Sequence, residues 1–198
     1  MLHTRTCQHC HRPLPCVARS DARYCSTRCR VAAHRVRHAG SSPIPAALRD
    51  RDRWVRHNAK RPVTVQGRGA SCTNARTWAT FASASASTVG DGLGFVLNGD
   101  GIVCLDLDHC ITDDGVEPWA ATVLANVPAT YVEVSPSGRG LHVWGLGDVP
   151  AGRVLAVDGG KVEVYGSGRY LTVTEKPYAG APSLLADLTA TIARVTHH

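Results

Sequence analysis

No stretch of this sequence approaches the ~18 consecutive apolar residues of a membrane-spanning helix. Its start, MLHTRTCQHC, carries no apolar run of the signal-peptide kind. The expectation is a protein without membrane association, working in a reducing, cytoplasmic compartment. There is no internal repeat and no P-loop of the Gly-x4-Gly-Lys-Ser/Thr type, which excludes a built-in ATP-driven motor of that class. Large apolar side chains are also scarce in residues 1–40, too few for that segment to fold around a core of its own.

What is present is unevenly spread. The chain has 198 residues and 43% hydrophobic content, enough for one ordinary domain with a small satellite. The net charge of +6 hides an asymmetry. From Met1 to Arg61, 14 Lys/Arg stand against three Asp/Glu, whereas from Pro62 onward eight stand against 13. A basic front of this kind is either the electrostatic footprint of a phosphate-backbone binder or a solvated face.

Five of the eight cysteines fall within the first 29 residues. Cys7-x2-Cys10 and Cys25-x3-Cys29 are 14 residues apart, a spacing that predicts a four-thiolate structural zinc site. Ser26 is placed to cap a helix starting after Cys25, with Cys29 in its first turn. Metal binding would then supply the folding energy that the apolar residues cannot. A redox or packing role for the thiols is the other reading. Cys16, His9, His11 and His34 are spare ligand candidates, and Arg28, Arg30, Arg35 and Arg37 decorate a helix predicted from Cys29 to His38. That helix suits nucleic acid or a protein partner. Residues 39–50, AGSSPIPAALRD, read as a linker between a zinc-binding module at 1–38 and a catalytic domain at 51–198.

Alternation predicts strands at 54–55, 62–65, 93–97, 102–107, 130–134, 141–144, 162–165 and 170–174. Asn98-Gly-Asp-Gly101 reads as the turn of a hairpin between the third and fourth of these. Helices are expected from Thr73 or Asn74 through Trp78 to Ala86, from Pro118 to Asn126 and from Ser183 to Val195. The fold class is α+β: a mostly antiparallel sheet with flanking helices, preceded by a small zinc-binding module.

Three motifs carry chemistry. Asp106-x-Asp108 ends the apolar strand IVCLDLD, and alternation puts both carboxylates on one face. Such a pair repels unless a cation lies between, although the pattern also occurs at ordinary strand ends. Ser135-Pro-Ser-Gly-Arg-Gly-Leu-His142 offers Gly138 and Gly140 for close backbone approach, with Ser135, Ser137 and Arg139 as phosphate donors, or it is a plain glycine turn. In KVEVYGSGRYLTVT, alternation projects Glu163 to one face, either that of the aspartates or open solvent.

In this order the three motifs resemble those of the archaeo-eukaryotic primase superfamily, of the phage- and plasmid-type bifunctional DNA primase/polymerase domain. The resemblance covers about Trp54 to Thr174, and the N-terminal zinc-ribbon or treble-clef-like module lies outside it. It implies a primase–polymerase catalytic fold performing template-directed nucleotidyl transfer (primer synthesis, DNA polymerisation or both) by a two-metal mechanism. By that resemblance Asp106 and Asp108 bind Mg²⁺ or Mn²⁺. Ser135, Ser137, Gly138, Arg139, Gly140 and His142 hold the incoming nucleotide, as do Arg169 and Tyr170. Glu163 is either a further metal ligand or positions the nucleotide with Tyr170. Implied partners are a single-stranded DNA template, nucleoside triphosphates and a separate replicative helicase, in a phage or mobile element within a bacterial host. Two other classes remain: a degenerate single-stranded DNA-binding replication module, and a metal-dependent nuclease.

Overall fold

The computed structural model of the protein describes residues 5–10, 12–15, 18–19, 21–30 and 42–196. His11, Cys16, His34, Arg35, Arg37, the predicted helix beyond Arg30 and residues 39–41 of the expected linker lie outside these. The chain divides into two units, Met1–Ser42 and Pro43–His198.

In the first unit a two-residue knuckle is closed by Thr6 bridging Pro13 and by Cys7 N–H donating to the Arg12 carbonyl at 2.8 Å. Residues 27–30 form a helical turn. The Ser26 hydroxyl accepts from Cys29 N–H at 3.2 Å, the capping bond anticipated from the sequence.

The second unit holds twelve strands: β1 (Trp54–Asn58), β2 (Arg61–Val63), β3 (Gly92–Asn98), β4 (Ile102–Leu107), β5 (Ile111–Thr112), β6 (Gly115–Val116), β7 (Val132–Val134), β8 (Leu141–Leu146), β9 (Arg153–Val157), β10 (Gly160–Tyr165), β11 (Ser167–Val173) and β12 (Ala186–Asp187). One sheet runs β11-β3-β1-β2 and the larger runs β12-β8-β4-β10-β9, with β7 also paired to β8. All pairings are antiparallel except β12 with β8, so the α+β, mostly antiparallel architecture stands.

The expected hairpin between β3 and β4 does not form. β3 pairs with β1 and β11, while β4 pairs with β8 and β10. Gly99 and Gly101 both take positive φ, and Gly99 N–H bonds the Gly166 carbonyl, so the turn passes the chain from one sheet to the other. The helix expected from residue 73 or 74 is also interrupted. Asn74 caps only a short 3-10 turn, Ala75–Thr77, and Ala79 bridges Trp54. Thr80 then caps a separate helix, Phe81–Ala86. β9 had no counterpart among the predicted strands.

Two cores result. One lies between the sheets, where Trp54, Phe95 and Trp144 meet edge to face with ring centres 5.1 and 5.9 Å apart. The other lies behind the larger sheet, where Leu105, Leu107, Val143, Val162 and Val164 pack under the helices Pro118–Leu124 and Thr189–Thr196.

The linker reading is corrected on its second half. Ile44 and Leu48 are fully buried in the inter-sheet core, Ala46–Arg49 is helical, and Trp54 Nε1 donates to the Leu48 carbonyl at 3.2 Å. Two apolar side chains hidden among Pro, Ser and Ala were enough to tie this segment down. Leu48→Ala should therefore lower stability by roughly 2–5 kcal/mol in chemical denaturation, whereas a solvated linker would move it by no more than ~0.5 kcal/mol.

Candidate active site

Strand register builds the site. Glu163 on β10 pairs with Asp106 on β4, Asp106 pairs with His142 on β8, and His142 pairs with Glu133 on β7. Directly opposed residues share a face, so four ionisable side chains form one row across four neighbouring strands. The alternate strand neighbours Leu105, Leu107, Leu141 and Val162 point the other way, into the rear core. That apolar anchoring fixes the register, because a slip of one residue would turn the ionisable groups into the rear core and the leucines onto the row's face.

Asp106 is the exceptional member. Its side chain is only 16% exposed, and Oδ1 is buried without a hydrogen-bond partner among the described residues. The imidazole Nε2 of His142 stands 3.8 Å from it. Burial raises the Asp106 pKa; the charge of His142 opposes this without cancelling it. An orphaned buried carboxylate oxygen beside a second carboxylate is the chemistry that a divalent cation completes. Asp108, just past the strand end, is 39% exposed and lies 3.7 Å from Lys161 Nζ.

Glu163 differs in kind. Oε1 accepts from Lys161 Nζ at 2.9 Å and Oε2 accepts from the Tyr165 hydroxyl. The tyrosine, then the lysine, lower its pKa. Arg169 stacks on the Tyr165 ring at 4.6 Å, which brings it toward the row. Tyr170 does not join it. Adjacent Leu171 pairs with Phe95 on the inner face of the smaller sheet, so Tyr170 faces outward, packed where Gly94 leaves room, its hydroxyl donating to the Lys60 carbonyl.

His142 lies on β8 as expected and is 3% exposed. Its Nδ1 lies 3.5 Å from Glu133 Oε1. Burial works against a charged imidazole, but the Glu133 bond and the Asp106 charge outweigh it and raise the His142 pKa.

Glu133 is the residue that sequence reasoning missed. It is completely buried, and its carboxylate accepts from Tyr131 Oη (3.0 Å), Trp144 Nε1 (3.2 Å), Thr174 N–H (3.0 Å) and Oγ1 (3.2 Å), and Glu175 N–H (3.2 Å). The available signal was a lone acid inside the apolar run Tyr131-Val-Glu-Val134, two strand positions from a serine–glycine loop.

That loop, Ser135 to Gly140, is held by its own serines. Ser135 Oγ accepts from Gly140 N–H at 3.1 Å and shares a hydrogen bond with Ser137 Oγ, which accepts from Arg139 N–H at 3.2 Å. Gly138 takes φ +75°, and a Cβ on Gly140 would lie 2.9 Å from the Leu107 carbonyl. The loop is thus pressed against the end of β4, with Ser137 and Arg139 exposed at its tip. A cavity of about 650 Å³ between Trp119, Asn126, Gly159 and Arg194 opens on the far side of the sheet and includes none of these residues.

In the N-terminal unit, taken by itself, the Sγ atoms of Cys7, Cys10, Cys25 and Cys29 all lie within 4.8 Å of one another. Cys10–Cys25 and Cys25–Cys29 are 3.6 and 3.5 Å apart. Tetrahedral thiolates about 2.3 Å from zinc would stand about 3.8 Å apart, so the cluster fits such an ion. Burial opposes it, but backbone N–H groups of Cys10, Cys25 and His9 lower the Cys7 pKa to about 6. The neighbouring Cys29 and Cys10 thiols push Cys25 up to about 12. These four residues can hold a metal ion.

Residues 23–185 match the family model described as "Bifunctional DNA primase/polymerase, N-terminal". The chain is also 36% identical over 153 residues to a protein of Nitratiruptor phage NrS-1 described as a DNA primase-polymerase. That alignment covers 69% of this chain and 21% of the phage protein, so the chain matches about a fifth of that relative's length.

The raised Asp106 pKa has a sign that can be checked. Protonated Asp106 contributes stability that is fully present below its unfolded pKa of about 3.9 and is lost as pH rises through the higher folded value. Without added metal, Asp106→Asn should therefore melt above the wild type at pH 7. The difference should close as pH falls below 4 in a series of thermal melts.

Proposed function

The chain belongs to the bifunctional DNA primase/polymerase family, and from that premise we propose that it carries out template-directed nucleotidyl transfer, making or extending primers in phage or mobile-element replication. The observation that carries the proposal is the buried, unpartnered Asp106 oxygen, set beside Asp108 at the mouth of the serine–glycine loop. Asp106 and Asp108 would hold Mg²⁺ or Mn²⁺, which when bound neutralises a triphosphate and lowers the pKa of an attacking 3′-hydroxyl.

The chain's own groups do the rest. Glu133 hydrogen-bonds His142 and so keeps it beside Asp106. The loop from Ser135 to Gly140 offers its exposed tip, with Arg139, to phosphate oxygens, while the hydrogen bonds of Ser135 and Ser137 lock the loop's shape. Both oxygens of Glu163 are already engaged by Lys161 and Tyr165. That favours a role in placing the nucleotide, with Arg169 alongside, over one as a metal ligand. Tyr170, on the outer face, has no part in this reading.

Single-stranded DNA, nucleoside triphosphates and a separate helicase are the proposed partners. Zinc at the four cysteines is the proposed structural metal. A degenerate binding module would have no need of an intact acid row, and a nuclease would have no need of the phosphate-facing loop. Among the described residues no helix is long and apolar enough to cross a membrane.

The test is incorporation of labelled nucleotides on primed and unprimed single-stranded templates, in Mg²⁺ and in Mn²⁺. Asp106→Asn and Asp108→Asn should each lose at least ~10²-fold in incorporation with the fold retained. Binding of DNA without incorporation by the wild type would leave the binding-module reading. Protein purified without added zinc should carry about one equivalent, and Cys25→Ala should carry none. A disulfide among these cysteines would contradict the site.

A further inference from the structure

Lys161 lies on β10 two residues before Glu163, on the same face, with only Ala156 opposite it on β9. Its Nζ is 2.9 Å from Glu163 Oε1 and 3.7 Å from Asp108 Oδ2. One ammonium thus bridges the two carboxylates that flank Asp106, and it is the cation that offsets their mutual repulsion. The side chain is 47% exposed, on a flexible four-carbon stem; its ammonium donates to Glu163 and forms a longer ion pair with Asp108. A divalent cation held by Asp106 and Asp108 would meet this ammonium as a like charge. It would also compete for the negative charge of Asp108 and so loosen the lysine when a polyanionic substrate needs neutralising.

We propose that Lys161 is the resident cation of the site: it holds Asp108 and Glu163 together beforehand, opposes divalent-metal binding, and turns to the phosphates of a bound nucleoside triphosphate. This rests on the reading of Asp106 and Asp108 as the metal-holding pair. Its signature is two effects of opposite sign, which neither a structural role nor an idle surface ion pair would give.

The experiment measures Mn²⁺ binding to the full chain without nucleotide, by the paramagnetic resonance signal of free Mn²⁺. It then measures the affinity of a non-hydrolysable nucleoside triphosphate at saturating Mn²⁺. Lys161→Met should bind Mn²⁺ about three- to tenfold more tightly and the triphosphate about tenfold more weakly, and Lys161→Arg should restore both toward wild type. Both affinities weakened, neither changed, or only one changed would overturn the inference. Asp106→Asn and Asp108→Asn separate the two claims. If they bind Mn²⁺ as the wild type does, the metal-pair reading fails and the inference with it. If they lose Mn²⁺ while Lys161→Met changes nothing, only the role of Lys161 fails.

Discussion

A carboxylate oxygen buried without a hydrogen-bond partner among the described residues is the constraint on which this site turns. Asp106 is brought there by the strand that buries Leu105 and Leu107 on its other face, so the apolar packing forces an acid into an environment that disfavours its charge. The protein offsets this only in part. His142 stands too far for a hydrogen bond, and Lys161 is turned to Asp108 and Glu163 instead. The unmet demand at Asp106 Oδ1 is what favours the proposed cation site over a salt-bridge network.

Glu133 shows how the row is tied to the fold. Its carboxylate gathers donors from just before β7, from β8 and from just past β11, so one buried side chain joins the larger sheet to the chain leaving the smaller one. Buried charge is costly unless every lone pair is used, and here the set of donors is dense. The edge-to-face series from Trp54 through Phe95 to Trp144 and His142 continues the same packing into the inter-sheet core. The histidine is thus fixed by the fold before any substrate arrives.

Much of this was legible in the sequence because its signals are local. Period-2 alternation put Asp106 and Asp108 at the end of a strand, and direct pairing shows Glu163 on the same face. Cysteine spacing and the Ser26 cap predicted the N-terminal cluster, which the four sulfur positions now outline. What escaped depends on contacts distant in sequence. The glycines around Asp100 read as a hairpin, yet they switch the chain between sheets, since pairing partners are chosen by tertiary packing. Ile44 and Leu48 looked like linker because burial of two side chains leaves no period. The parity of Tyr170 was readable from its strand, but which face of that strand meets the site was not. Glu133 carried no motif, and only its surroundings make it a hub.

Diffraction from crystals containing Mn²⁺ and a non-hydrolysable nucleoside triphosphate most directly tests whether Asp106 and Asp108 form a cation site completed by a nucleotide. The expected result is an anomalous peak within coordination distance of Asp106 Oδ1 and an Asp108 oxygen, with triphosphate oxygens completing the shell and the Ser135–Gly140 loop against the phosphates. Manganese bound elsewhere with Asp106 Oδ1 still unliganded, or a triphosphate seated away from that loop, would contradict it.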